Sequence, residues 1–376
     1  MPRPICAHID LSAMSHNLDV IRRSSASGAS LAGIWAVIKA NAYGHGLENA
    51  VSGFAQADGL AMLDFEEAKR CRFTGWSKPI LMLEGPFDLT DLEQAAHDGL
   101  SLVIHQTTQI DWLERVPLGC QLDLYLKLET GMNRLGFDPQ DYGPAHERLL
   151  RLKALGKVRS ITHMTHFAQA DQADGLQAPM STFVQTVQGL AGEWSVSNSA
   201  ASLMHAPAVN QWAKAADTRH WVRPGICLYG GSPMEHLSSS QLDLRSAMSL
   251  RSELISTRHV QAGEGIGYGY LYRATRPMRL GVVACGYADG YPRHAPSGTP
   301  VSVLGVQVPI VGRVSMDMMM VDITDHPTAQ VGSEVVLWGS GGPSADDVAH
   351  CAGTISYELL SGVTARVPRQ VVNQRP

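Results

Sequence analysis

Short apolar runs recur through the first two thirds of the chain, at Ile34–Ile38, Gly59–Leu63, Ile80–Leu83, Leu100–Ile104, Leu122–Leu128, Val158–Met164, Trp194–Ser197 and Trp221–Arg223. Between them lie stretches whose apolar positions fall at helical spacing, as in Phe65–Arg72, Leu89–Asp98, Thr107–Arg115 and Gly143–Leu155. Continuous apolar runs alternating with amphipathic helices predict parallel strands buried on both faces, an α/β architecture. Ahead of this rhythm, Asp10-Leu11-Ser12 predicts a cap for a helix with Leu11, Met14, Leu18 and Ile21 on its apolar face. Around Gly231-Ser232-Pro233 the pattern changes. Beyond Ser239 come runs such as Met248–Ser256, Arg279–Ala284, Pro300–Leu304, Val306–Val311 and Glu334–Trp338, divided by turn residues. These predict a mainly β-strand domain with one short helix near Ala345–Cys351. The boundary is placed near residue 235, giving domains 1–235 and 236–376.

Composition narrows the class. The 376 residues exceed one ordinary core, are 44% hydrophobic and 17% charged, and so read as a soluble two-domain protein. A net charge of −5 offers no basic field for nucleic acid or an anionic membrane. The 15 histidines show no metal-ligand spacing, so no metal site is expected. Six cysteines lie far apart without a C-x-x-C pair and read as reduced thiols, mostly buried. Neither a signal-like N-terminus nor a membrane-length apolar run is visible, so the cytoplasm is the expected compartment.

The chemistry concentrates at strand ends. The run Ile34–Ile38 ends in Lys39, followed by a glycine-bearing turn through Gly44 and Gly46 and the helical Leu47-Glu48-Asn49-Ala50-Val51. A lysine desolvated against such an apolar wall loses basicity and becomes a usable nucleophile or base. Lys127, His166, Asn198, Ser199 and Arg223 likewise stand at or just past apolar runs. If the strands are parallel and closed, these groups share one mouth, where α/β barrels hold their active sites.

The string Ala36-Val37-Ile38-Lys39-Ala40-Asn41-Ala42-Tyr43-Gly44-His45-Gly46 resembles the cofactor-attachment segment of the alanine racemase family. Lys127–Phe137, Thr165-His166-Phe167-Ala168, Asn198–Ser202, Val222-Arg223-Pro224-Gly225-Ile226, Gly265–Gly269, Gly286–Arg293, Gly312–Asp317 and Ser356-Tyr357-Glu358 follow in the family's order. The resemblance implies that the strands number eight and close into a (β/α)8 TIM-like barrel. It implies pyridoxal 5'-phosphate as cofactor, joined to Lys39. His166 would lie against its ring and Arg223 would face the ring nitrogen. Tyr43, Asn198, Ser199, Gly225, Ile226 and Tyr357 would hold its phosphate, a helix N-terminus being a ready anion site.

By the same resemblance Arg134 and the Met316 backbone bind the substrate carboxylate with Asp317 nearby. Tyr287 walls the entrance, and Lys127 is the position that many members carbamylate. Glu129 stands where the family has aspartate, which keeps the charge. A racemase needs an acid/base group on each face of its substrate. Lys39 is one and Tyr268 the other, the latter tuned downward by the Arg223–His166 pair. Tyr268 and Met316 would come from a partner subunit, in a homodimer with composite sites. The implied activity is interconversion of L- and D-alanine, supplying D-alanine for peptidoglycan or degrading it. The alternatives are racemisation of serine or of a broad set of amino acids, a decarboxylase on the same plan (against which Arg223 argues), and a non-catalytic cofactor-binding protein.

Overall fold

The first strand lies outside the barrel. In the computed structural model, which describes residues 3–25 and 31–372, β1 (Cys6–Asp10) alternates half-buried Cys6, His8 and Asp10 with buried Ala7 and Ile9. Asp10 ends it and caps the helix Leu11–Ser25, its carboxylate accepting from the Ala13 N–H at 2.9 Å and the Ser12 hydroxyl at 2.7 Å. Period-2 alternation over so few residues, next to a stronger helical signal, went unread in the sequence.

The barrel follows. Strands β2 (Leu31–Val37), β3 (Gly59–Met62), β4 (Ile80–Met82), β5 (Ser101–Ile104), β6 (Leu122–Lys127), β7 (Val158–Met164), β8 (Trp194–Ser197) and β9 (His220–Val222) pair in parallel, each with the next. β9 returns to β2 and closes the ring. Every residue of β3, β4, β5 and β8 is buried, which is why these strands read as unbroken apolar runs. Aromatic rings fill part of the interior: Trp35 stacks on Trp221 at 4.8 Å and meets the edge of Tyr125 at 5.9 Å. Gly59 makes room for them, since a Cβ there would lie 2.1 Å from the Trp35 ring. The helix expected at Gly143–Leu155 begins earlier, at Pro139, and runs to Ala154. Its start uses a proline in the first turn, where no N–H partner is needed.

The remaining strands build an eight-stranded sheet. In spatial order it runs β13 (Met278–Val283), β16 (Met319–Asp322), β15 (Val306–Val311), β14 (Pro300–Val303), β17 (Glu334–Trp338), β10 (Met248–Val260), β1 and β18 (Arg369–Val372). β10 also pairs with β13, shifting register at Leu254/Ser256, so one long strand joins the β13 end of the sheet back to β17 and β1. A ribbon of β11 (Gly265–Ile266) and β12 (Tyr272–Arg273) projects from it. The helix expected near Ala345–Cys351 is present at Ala345–Ala352. A second, Ser356–Ser361, was missed because six residues carry too little periodicity.

Among the described residues no helix is long and apolar enough to cross a membrane, and no cluster of three or more His, Cys, Asp or Glu could hold a metal. All six cysteines are unbridged. Only Cys71, Cys227 and Cys285 are buried, while Cys6 and Cys120 are partly covered and Cys351 is exposed.

Candidate active site

Strand β2 delivers Lys39 to the mouth through Ile38, which has no exposed surface. The chain then turns in an unexpected way. Ala40, Asn41, Ala42 and Tyr43 all adopt left-handed φ angles, between 50° and 55°. Four successive non-glycine residues in this region cost about 1–2 kcal/mol each, so other contacts must fix the turn. The Asn41 N–H donates to the Glu67 carboxylate at 3.0 Å, and the Asn41 side chain accepts from the Leu47 N–H at 3.0 Å. From β18, Arg369 Nε donates to the Gly44 carbonyl at 2.6 Å. The glycine the sequence marked at position 44 is needed for space as well as for φ: a Cβ would stand 2.0 Å from the Leu360 carbonyl oxygen.

Lys39 opens into a cavity of about 900 Å³ that also takes in Tyr43, Lys127, Arg134, His166, Asn198, Ser199, Arg223, Gly225 and Tyr357. The barrel therefore gathers most of the polar strand-end residues in one place. Burial lowers the Lys39 amine, with Arg134 adding to the effect. Lys127 is pushed down to about 8 by burial and by Arg223 and Arg134. Arg223 is buried, donates to Ser195 Oγ and to the Thr165 carbonyl at 2.6 Å each, and is lowered by burial to about 10, still charged at neutral pH. His166 is driven well below its ordinary value by burial and then by Arg223, Lys127, Arg134 and Lys39. That direction disfavours its protonated form, so in the Arg223–His166 pair the positive charge rests on the arginine.

Arg134 sits on a loop shaped by Glu129. Burial raises the Glu129 carboxyl, but N–H groups of Asn133, Gly131, Arg134 and Met132 outweigh it and hold the group below its usual range. The loop returns to the barrel through the Phe137 N–H, which donates to the Lys127 carbonyl at 2.8 Å.

Past β8, two strands around the ring from β2, Asn198 begins the helix Ser199–Met204 by accepting the Ala201 N–H at 3.1 Å. The Gly225 N–H donates to Ser199 Oγ at 2.8 Å. Tyr43 stacks on Tyr229 at 4.7 Å and leans toward Tyr357 at 6.1 Å. At Gly225 a Cβ would lie 2.4 Å from the Tyr43 hydroxyl oxygen, so a small anion could meet tyrosine and backbone together. Ile226 lies just behind, its side chain buried away from the cavity.

Sequence reading overlooked one wall. Glu84 and His105 follow β4 and β5 into the cavity with Gln109. His105 Nε2 lies 3.0 Å from the Glu84 carbonyl, and Gln109 Nε2 donates to that carbonyl at 3.2 Å. The rule that found Lys39 and His166, a polar residue just past a strand, would have found Glu84 and His105 too.

Four sequence-predicted residues lie elsewhere. Tyr268, 70% exposed, occupies the tip of the β11–β12 ribbon. Tyr287, Met316 and Asp317 lie on loops of the β-sheet and do not line the cavity. Met316 is 52% exposed, and Tyr270, Leu271 and Met318 are exposed beside these segments in sequence. Within one chain they are not brought to Lys39.

A lysine of lowered basicity at the mouth of a closed barrel, beside the buried cations Lys127 and Arg223 and followed by a β-domain, has the features expected of a barrel enzyme's active site. The model of the alanine racemase N-terminal domain matches residues 9–233, and that of the C-terminal domain residues 247–371. The alanine racemase of Bordetella petrii is 54% identical over 98% of this chain and 99% of its own, and that of Bordetella avium 50% over the same shares. The crystal structure of biosynthetic alanine racemase from Pseudomonas aeruginosa superposes with a TM-score of 0.90 at 43% identity, covering 98% of this chain and 99% of that one. The chain belongs to the alanine racemase family.

Proposed function

We propose that this protein interconverts L-alanine and D-alanine, using pyridoxal 5'-phosphate held at the barrel mouth. The observation that carries the reading is the cationic ring of Lys39, Lys127, Arg134 and Arg223 in one cavity of about 900 Å³. The residues suit the cofactor: Tyr43, Asn198, Ser199, Gly225, Ile226 and Tyr357 would hold its phosphate, His166 its ring, and Lys39 its aldehyde carbon. When bound, the cofactor withdraws electrons from the substrate amine and so acidifies its Cα–H.

The chain's own residues then decide the outcome. Arg223 donates hydrogen bonds without giving up its proton, which limits charge withdrawal and favours simple proton return over transamination. Neutral His166 adds no proton either. Lys39, with lowered basicity, takes or returns the proton on one face of Cα. Tyr268 serves the other face from a partner subunit, and its exposure on the ribbon tip supports a head-to-tail homodimer with two composite sites. Arg134 and the partner's Met316 backbone hold the substrate carboxylate, with Asp317 alongside, and Tyr287 narrows the entrance.

Lys127 is a carbamylation site in this reading, because an amine lowered to about 8 keeps a far larger neutral, reactive fraction at neutral pH than an ordinary lysine, and the resulting anion would offset Arg134 and Arg223. Domain 1–235 supplies the cofactor site except for Tyr357, and domain 236–376 supplies Tyr357 and the second acid/base group. The enzyme works in the cytoplasm and serves D-alanine supply for peptidoglycan, or its breakdown.

Proton–deuterium exchange at Cα with chiral analysis, over an amino-acid panel in D2O, tests the reading. Alanine is expected to invert far faster than serine, lysine or arginine. Equal inversion across the panel would remove the alanine assignment, and absence of any exchange would remove the enzyme.

A further inference from the structure

The turn carrying Tyr287 and the loop carrying Met316 are bound to one another. The Tyr287 N–H donates to the Ser315 carbonyl at 3.0 Å, and the Ala288 N–H to the Met316 carbonyl at 2.9 Å. Gly286 lies so close that a Cβ would stand 2.4 Å from the Met316 carbonyl oxygen. Beneath them Asp289 has no exposed surface. Its carboxylate accepts the Gly286 N–H at 2.9 Å and Arg3 Nη1 at 2.7 Å, and forms an ion pair with Arg366, Nε lying 3.0 Å away. Each arginine reaches on to Asp317: Arg366 Nη2 to its carboxylate at 2.7 Å, Arg3 Nη2 to its carbonyl at 2.6 Å.

Two carboxylates and two guanidiniums thus close a ring from four separate stretches. These are the segment before β1, the 286–290 turn, the 315–318 loop and the segment before β18. A buried carboxylate is tolerated only when paired and hydrogen-bonded, and such ion clusters are better at fixing geometry than at adding stability. Geometry is what these two loops lack, since neither 286–290 nor 315–318 lies in a sheet ladder that would set its place.

We infer that Asp289, clamped by Arg3 and Arg366, is a positioning residue that sets Tyr287 and the Met316 backbone at the spacing with which they grip substrate in the partner's site. The inference rests on the composite-site reading above. Tyr268 stands on the β11–β12 ribbon, outside the ring, so loosening the ring should disturb substrate binding and leave proton transfer largely intact.

The test compares holoenzyme Arg366→Ala, Arg366→Lys, Arg3→Ala and Asp289→Asn with wild type. It reads KM and kcat in both directions, cofactor absorbance, and dimer mass by light scattering. Arg366→Ala is expected to raise KM for both alanine enantiomers by about tenfold with kcat within about twofold, a loss of binding rather than of chemistry. Arg366→Lys should recover part of the shift, and Arg3→Ala should show a smaller one. If Asp289→Asn fails to fold, the three arginine variants still decide. Dimeric, cofactor-loaded variants with unchanged KM, or with kcat falling while KM holds, would overturn the positioning role. A wild type that racemises no amino acid would instead remove the reading beneath it, and the inference with it.

Discussion

Lys127 carries the sharpest consequence at the scale of a single residue. Its amine is lowered from an ordinary lysine value to about 8, first by burial and then by Arg223 and Arg134. Below that pH the folded chain must hold a buried ammonium among like charges. The unfolded chain binds the same proton more readily, so stability rises with pH between about 8 and the ordinary lysine value. Lys127→Met should therefore stabilise the protein at pH 7 by roughly 3 kcal/mol in buffer stripped of carbon dioxide. The gain should shrink toward pH 10, as read by urea unfolding. Adding bicarbonate should raise the wild-type midpoint and leave Lys127→Met unmoved if the amine is carbamylated; an equal response of both proteins would count against carbamylation. The sequence supplied the lysine and its family context, but its basicity depends on arginines seven and 96 residues away in the chain.

Among the elements, the left-handed turn after Lys39 is the least expected. Alanine and asparagine in the sequence gave no sign of it, because local preference opposes the conformation and only tertiary contacts hold it. Glu67 holds Asn41 from one helix, and Arg369 holds Gly44 from the far end of the chain. Ala40 is exposed and sits at φ 55°. Replacing it with glycine removes the side-chain strain, so Ala40→Gly should stabilise by about 1 kcal/mol in thermal unfolding. Gly44→Ala should do the reverse and by more, because its Cβ would collide with the Leu360 carbonyl. A stabilised Gly44→Ala, or a destabilised Ala40→Gly, would mean that the turn is not held as described. The ribbon that lifts Tyr268 belongs to the same scale: two-residue strands around Gly267 and Gly269 are too short for periodicity, so only the Gly-Tyr-Gly string marked it.

For the whole molecule, the separation of Lys39 from Tyr268 is the central fact. One lies in the cavity and the other on an exposed tip. If sites are shared across a dimer, Lys39→Ala and Tyr268→Phe are each inactive alone. Unfolded together and refolded in equal amounts, they should form about half heterodimers, each with one intact site of two. Turnover should recover to about a quarter of wild type, measured against unmixed controls. A mixture as inactive as its components would place both groups in one subunit's site and remove the shared-site arrangement.

The sequence by itself determined the alternation of buried strands and helices, the change to a β-rich second part, and the residue types at the ends of β2, β6, β7, β8 and β9. Apolar periodicity and strand-end position are local properties, and burial on both faces writes them directly into the chain. Only the tertiary structure decided that β1 leaves the first domain's strands to complete the other sheet, and that four residues after Lys39 turn left-handed. Only it showed Glu84 and His105 walling the cavity, His166 as neutral, and Arg3 meeting Arg366 around Asp289. Each of these depends on groups far apart in the chain, where desolvation, charge and close approach are set by three-dimensional neighbours.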